Sequence, residues 1–197
     1  MPKDIKVRIR MLRVGLGDCF LLTFLPAKRS KKPLANVLID CGVDVGTPGG
    51  AARIRNFADA IVKEVGPNLD LLIATHEHWD HVSGFSQAQA QAQFDSMNIR
   101  NVWLAWTEDP NDTFARDLKA ETLLALQGLT LSAVELQSNA AFWVRERVGL
   151  QDTGEGLAGI LSLYGVEDLG ASKFSKKTDE AMDWVSSKKK DKKKSCH

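Results

Sequence analysis

Apolar and basic side chains alternate along Ile5 to Val14 (IKVRIRMLRV), the period-two pattern of a half-buried strand. The glycines of GLGD, Gly15 to Asp18, interrupt it. CFLLTFL follows as a more buried strand, so the pair reads as a hairpin. A solvated loop, KRSKKP, leads into LANVLIDCG, a third strand ending at Asp40 and Gly42. The period then changes. Ile54, Phe57, Ala58, Ile61, Val62 and Val65 share one face of a helix predicted over Ala51 to Val65, and Gly66-Pro67 stops it. LDLLIAT is short and continuously apolar, the mark of a strand buried on both faces. Helices are predicted over FSQAQAQAQFDSM and over Asn111 to Leu126, the second capped by Asp112, with a buried strand IRNVWLAW between them. Beyond Gly128 the pattern gives helices at Ala140 to Val148 and Gly156 to Tyr164, punctuated by Gly165 and Gly170.

This alternation predicts the α/β (α+β) class, with helices layered on a mixed sheet. A chain of 197 residues with 44% hydrophobic and 26% charged residues can bury a real core. We expect one domain over residues 1–170 and a lysine-rich, disordered tail over 171–197. The net charge of +1 gives no global argument for nucleic acid or for an acidic partner, although much of the lysine lies beyond Lys173. Three cysteines, Cys19, Cys41 and Cys196, without a CxxC pair, read as reduced thiols. No apolar signal-peptide core opens the chain, and CFLLTFL is far short of a membrane span. The expectation is a cytoplasmic protein without membrane contact.

The candidate chemistry sits in LLIATHEHWDHVSG, where His76, His78 and His81 are three of the four histidines in the chain. The spacing H-x-H-x-D-H differs from the H-E-x-x-H zinc helix, because position 80 is Asp. On an extended segment leaving a strand, His76, His78 and Asp80 would share a face, and a turn after Asp80 would bring His81 beside them. Three imidazoles and a carboxylate suit zinc and related transition metals. Four ligands within six residues split more naturally into two pairs than around one tetrahedral ion, which points to two metals. Metal-free surface or core histidines would be the bland account of a single His, and fit this spacing poorly.

At these residues the chain resembles the metallo-β-lactamase superfamily, whose signature is H-x-H-x-D-H followed shortly by Gly. Upstream, VGLGDCFLLTF and NVLIDCG resemble the first strands of the branch related to the hydrolase domain of bacterial DNA-uptake (competence) proteins. Together the matches cover roughly residues 5 to 105. The resemblance implies an αβ/βα four-layer sandwich, of which this chain holds the N-terminal half and part of the second. It also implies that His76 and His78 serve a first metal, that Asp80 and His81 serve a second, and that Asp40 orients the loop without binding metal. Two zinc ions, or manganese or iron, would activate a water, and Asp80 would help hold that nucleophile for attack on an ester or phosphodiester.

The family also uses a third His, a bridging Asp and a last His from later strands, and after His81 the only histidine is His197. Three explanations remain: a fragment of a longer hydrolase, which the abrupt end favours, a degenerate relative, or ligands supplied by another chain. The leading expectation is therefore a metal-dependent hydrolase of a small-molecule or phosphodiester substrate. The alternative is a catalytically inactive metal-binding or interaction module, with the lysine-rich tail contacting nucleic acid. A half-sandwich with exposed apolar surface would also tend to form a homo-oligomer. The lysines at 188, 189, 190, 192, 193 and 194 read first as a solvated tail and only second as a phosphate grip. GLGD reads as a tight turn near the site mouth rather than a phosphate loop, and TPGG as a loop rather than an anion site. Trp103, Trp106 and Trp143 read as core or interface aromatics, and Cys41 as a buried strand-end thiol.

Overall fold

The computed structural model describes residues 5–27, 32–139, 150–166 and 176–189. The helix expected at Ala140 to Val148, together with Trp143, Gly170, the lysines from Lys190 onward, Cys196 and His197, lies outside the described residues. The chain divides into two units, Met1–Leu104 with Thr178–His197, and Ala105–Lys177.

The first unit is built on five strands, β1 (Ile5–Met11), β2 (Phe20–Pro26), β3 (Ala35–Ile39), β5 (Leu71–Ala74) and β7 (Val102–Leu104), in the order β1-β2-β3-β5-β7. The first three are antiparallel to one another; β3, β5 and β7 run parallel. Two two-residue strands, β4 (Asn68–Leu69) and β6 (Asn98–Ile99), form a separate parallel pair. Helix α1 (Gly50–Val65) connects β3 to β5, as a parallel pair requires. The short α2 (Trp79–Val82) and α3 (Ala88–Asp95) lie between β5 and β7.

Helix α1 forms as its periodicity predicts. Ile54, Ala58 and Ile61 are buried, Phe57, Val62 and Val65 pack beside them, and Gly66 ends the helix at φ 76° with its N–H on Val62 O. These residues meet Leu38, Leu72 and Ala74 on one face of the sheet. Phe85 and Phe94 complete that core, together with Ala181, Met182 and Val185 of helix α6 (Lys177–Ser187). Trp184 stacks on Phe85 with ring centroids 5.6 Å apart and planes 6° from parallel. The expected tail is thus revised at its start, because residues 177–187 carry an apolar helical face that the following lysine run obscures in the sequence.

Among the described residues of its own unit, the opposite face of the sheet is only partly covered. Met11, Phe20, Ile39, Ile73 and Trp103 are register partners in one row across all five strands. None of these side chains is fully buried. Two strand expectations are corrected here. In β1, every residue is exposed, and it is the basic positions that face the helices, where Arg8 (2.6 Å) and Arg10 both pair with Glu64 of α1. In β5, Leu72 and Ala74 are buried but Leu71 and Ile73 only partly, so one face is enclosed rather than two. IRNVWLAW is also split, between β6 and β7.

In the second unit, Asp112 caps helix α4 (Thr113–Asn139) by accepting the Ala115 N–H at 2.9 Å. This helix runs past Leu126, where the sequence had placed its end. Helix α5 (Leu150–Ser162) includes much of the segment expected at Gly156 to Tyr164, and Leu126, Ala133, Leu161 and Val166 form a small separate core. The described residues therefore give a mixed α/β chain of six helices and a mixed sheet. Of the four layers expected, they form one full sheet with helices on one face. No described helix is long and apolar enough to cross a membrane.

Candidate metal centre

Strand β5 ends at Ala74, and Thr75 to His78 leave it as an extended segment before α2 begins at Trp79. His78 is the residue that caps α2, at φ −67° and ψ 144°, and its carbonyl accepts the N–H groups of His81 (2.9 Å) and Val82 (3.1 Å). The turn therefore comes after His78, two residues earlier than expected, and Asp80 and His81 sit on a helical turn. The result still gathers the cluster. The His76 ring lies 4.6 Å from that of His78 and 3.9 Å from that of His81, and His81 Nε2 is 3.5 Å from Asp80 Oδ2.

Asp40, at the end of β3, holds this loop from beneath. Its carboxylate is buried, its Oδ1 accepts the Thr75 N–H at 2.8 Å, and its Oδ2 accepts the Thr75 hydroxyl at 2.6 Å. Oδ2 also faces His81 Nδ1 at 3.0 Å. Backbone bonds stitch the loops further: Asp18 N–H to Asp80 O (3.0 Å), Cys41 N–H to His81 O (2.8 Å) and Gly84 N–H to Cys41 O (2.8 Å). These contacts leave no room for side chains. A Cβ on Gly42 would lie 2.4 Å from the Asp80 carbonyl carbon, and one on Gly17, already at φ 143°, would lie 2.5 Å from the Asp80 oxygen. Gly17 of GLGD and Gly42 of DCG are thus required by close backbone approach, which supports the turn reading of GLGD.

The proton positions follow from this network. A carboxylate only accepts, so His81 carries a proton on Nδ1, facing Asp40, which leaves Nε2, 3.5 Å from Asp80 Oδ2, as the ring nitrogen a metal would take. The Thr75 hydroxyl gives its one proton to Asp40, so it accepts from His76 Nδ1 at 3.0 Å, and His76 Nε2 is likewise left with a lone pair. Burial opposes protonation of His81, but the Asp40 hydrogen bond and the charges of Asp80, Asp40 and Asp18 outweigh it and raise its pKa. For His76, burial and the neighbouring His81 and His78 lower the pKa. Asp80 Oδ1 is buried and has no hydrogen-bond partner among the described residues.

These observations fit a metal-binding role. An orphaned carboxylate oxygen and two imidazoles whose Nδ1 protons are committed, so that Nε2 is the nitrogen left for a ligand, make a donor set that suits a divalent cation of zinc type. Among the described residues, no group of three or more His, Cys, Asp or Glu is arranged to enclose a single ion. The described donors form an open set, not a closed cup.

All five residues singled out in the sequence, His76, His78, Asp80, His81 and Asp40, converge here. Thr75 was missed, because a threonine between a strand and a histidine carries no signal until its partner Asp40 is seen. Asp18 and Gly17 were read only as turn residues, yet they hold the Asp80 backbone. Cys41 is fully buried, as is Cys19. The Cys19 thiol is pushed well up by its hydrogen bond to Cys41 and by burial, so it packs as a neutral thiol.

A mixed α/β domain that carries a histidine–aspartate cluster at the carboxyl end of a parallel strand defines a class of site-bearing α/β proteins. The family model of the Metallo-beta-lactamase superfamily matches residues 31–166, more than half of the chain. The chain belongs to the metallo-beta-lactamase superfamily, whose members are typically metal-dependent hydrolases that bind divalent metals. The match begins after β1, β2 and the GLGD turn, and so does not bear on the competence-protein branch. No curated protein and no solved structure gives a match.

Proposed function

We propose that this chain is a metal-dependent hydrolase in which the His76–His81 loop binds divalent metal and Asp80 serves both as ligand and as the group that orients the attacking water. The observation that carries this reading is the buried, unpartnered Asp80 Oδ1 beside two histidines whose protons are committed to Nδ1. His76 and His78 would hold one ion, and Asp80 with His81 a second. Zinc is the first choice for such donors, and manganese and iron are alternatives. When bound, such a metal supplies Lewis acidity toward a carbonyl or phosphoryl oxygen and lowers the pKa of water.

The chain's own residues do the rest. Asp40 and Thr75 fix the rings of His81 and His76, so that binding a ligand needs no reorganisation of either side chain. Asp80 is set at the first turn of α2, with its backbone clamped by Gly42 and Asp18, and its free oxygen can hold a water proton. The substrate class is an ester, with a phosphodiester as the candidate of interest. The GLGD and LIDCG stretches support kinship with the hydrolase domain of competence proteins. Two free, buried thiols support a reducing compartment, the cytoplasm.

A second reading is that the chain binds metal without turnover, and it is favoured by the absence of a three-ligand group among the described residues. Hydrolysis of bis(p-nitrophenyl) phosphate by the zinc- or manganese-loaded chain separates the two. Turnover in wild type that is lost in His78→Ala supports the hydrolase. Bound metal with no turnover that depends on His78 supports the second reading.

A further inference from the structure

The thiols of Cys19 and Cys41 take no part in the metal centre, yet both are free and fully buried beside it. The strands bring them together. Phe20 and Ile39 are register partners in the antiparallel β2–β3 ladder, and just beyond them β3 takes an extra residue, Asp40, at φ 53°. Pairing resumes where Gly42 N–H donates to Asp18 O at 3.0 Å, so Cys19 lies opposite Cys41. The backbone groups of both cysteines point outward from the pair. Cys19 O accepts the Leu12 N–H (2.9 Å), Cys41 N–H donates to His81 O (2.8 Å), and Cys41 O accepts the Gly84 N–H (2.8 Å). That is the non-hydrogen-bonded position of a ladder, where Cα atoms approach to about 4.5 Å and side chains come closest. A disulfide closes at such a separation without backbone movement. Both side chains enter the same core, and the two thiols hydrogen-bond each other.

We propose that Cys19 and Cys41 form a redox pair, joined under a peroxide-class oxidant into a disulfide that locks the His76–His81 loop onto the sheet. Peroxide oxidises one thiol to the sulfenic acid and releases a water. The sulfur of the other then displaces the hydroxyl, which leaves with the remaining thiol proton as a second water. One S–S bond replaces two S–H bonds, and the two electrons go to the O–O bond of the peroxide. The lock follows from what flanks the pair. Asp18 N–H holds Asp80 O and Cys41 N–H holds His81 O, so the cross-link fixes the two donors of that clamp relative to each other. Burial shields both sulfurs, so the thiols persist in a reducing compartment and oxidation waits for a brief opening of the loop. Neither sulfur is assigned to metal, and the pairing does not depend on the metal reading.

Thiol mapping of the 197-residue chain tests it. The reduced chain is treated with hydrogen peroxide in native buffer, alkylated, and digested for mass spectrometry without reduction. The expected product links Cys19 to Cys41 and leaves Cys196 outside the link. The linked chain should melt about 5 °C or more higher, a shift that dithiothreitol reverses. Hydrogen exchange of the Cys41 and Gly84 amides should slow by about tenfold. Cys41→Ser should abolish the link and the dithiothreitol-sensitive shift; should that variant misfold, mapping of the unmodified chain decides alone. Cys19 and Cys41 both alkylated after peroxide, oxidised separately to sulfinic acids, or linked only to Cys196 would overturn the proposal. So would a Cys19–Cys41 link that leaves melting and exchange unchanged.

Discussion

Asp40 is the described non-glycine residue in the left-handed region, at φ 53°, and its two carboxylate oxygens serve three partners. Asp and Asn both tolerate that backbone conformation, so Asp40→Asn isolates the hydrogen bonds from the strain. One of its atoms then becomes a donor facing Thr75 or His81, and the folded state should lose about 1–3 kcal/mol. Urea unfolding measures this, and an unchanged midpoint would contradict the role given to Asp40. Glycines provide a paired test of sign. Gly42→Ala drives a Cβ into the Asp80 backbone and should destabilise by about 1–3 kcal/mol or more, because backbone cannot step aside as a flexible side chain can. Gly128→Ala, with nothing within 4 Å of the new carbon and a helical position, should instead stabilise by about 0.5–1 kcal/mol. Thermal denaturation of the two variants, shifted in opposite directions, is the expected result.

At the scale of elements, α6 depends on a contact that lies far away in sequence. Lys188 at 2.6 Å holds the Asp95 carboxyl below the usual carboxylate range; slight burial opposes this, and the Trp184 indole N–H at 3.0 Å adds to it. A depressed folded pKa stabilises the fold above the unfolded value, and the contribution is lost as pH falls through the folded one. Docking of α6 should therefore weaken in acid below the ordinary carboxylate range, and Asp95→Asn should remove that part of the pH dependence. Hydrogen exchange of the α6 amides against pH measures both effects. This element also marks where the sequence stopped being legible. The face of α1, its Gly-Pro stop, the Asp112 cap and the histidine motif were all readable, because each is set by residues within about four positions of one another. The turn after His78, the reversal of β1 and the docking of α6 were not. Each depends on a distant partner: the Asp40 and Gly42 backbone, Glu64, and Phe85 with Asp95.

For the whole molecule, one sheet supplies the feature that matters. Its carboxyl edge carries the histidine–aspartate cluster between the ends of β3 and β5. The family assignment explains why so much of the sequence converges on one loop, and the network of Asp40, Thr75 and His81 explains how that loop is held. The central claim is that the loop binds divalent metal through Asp80 and the histidines. Equilibrium dialysis of the 197-residue chain against zinc, followed by metal analysis, tests it most directly in wild type and in a variant carrying both His76→Ala and Asp80→Asn. The account predicts that wild type retains zinc and that the variant, still folded by circular dichroism, retains none. Equal zinc in both proteins, or none in wild type, would contradict it.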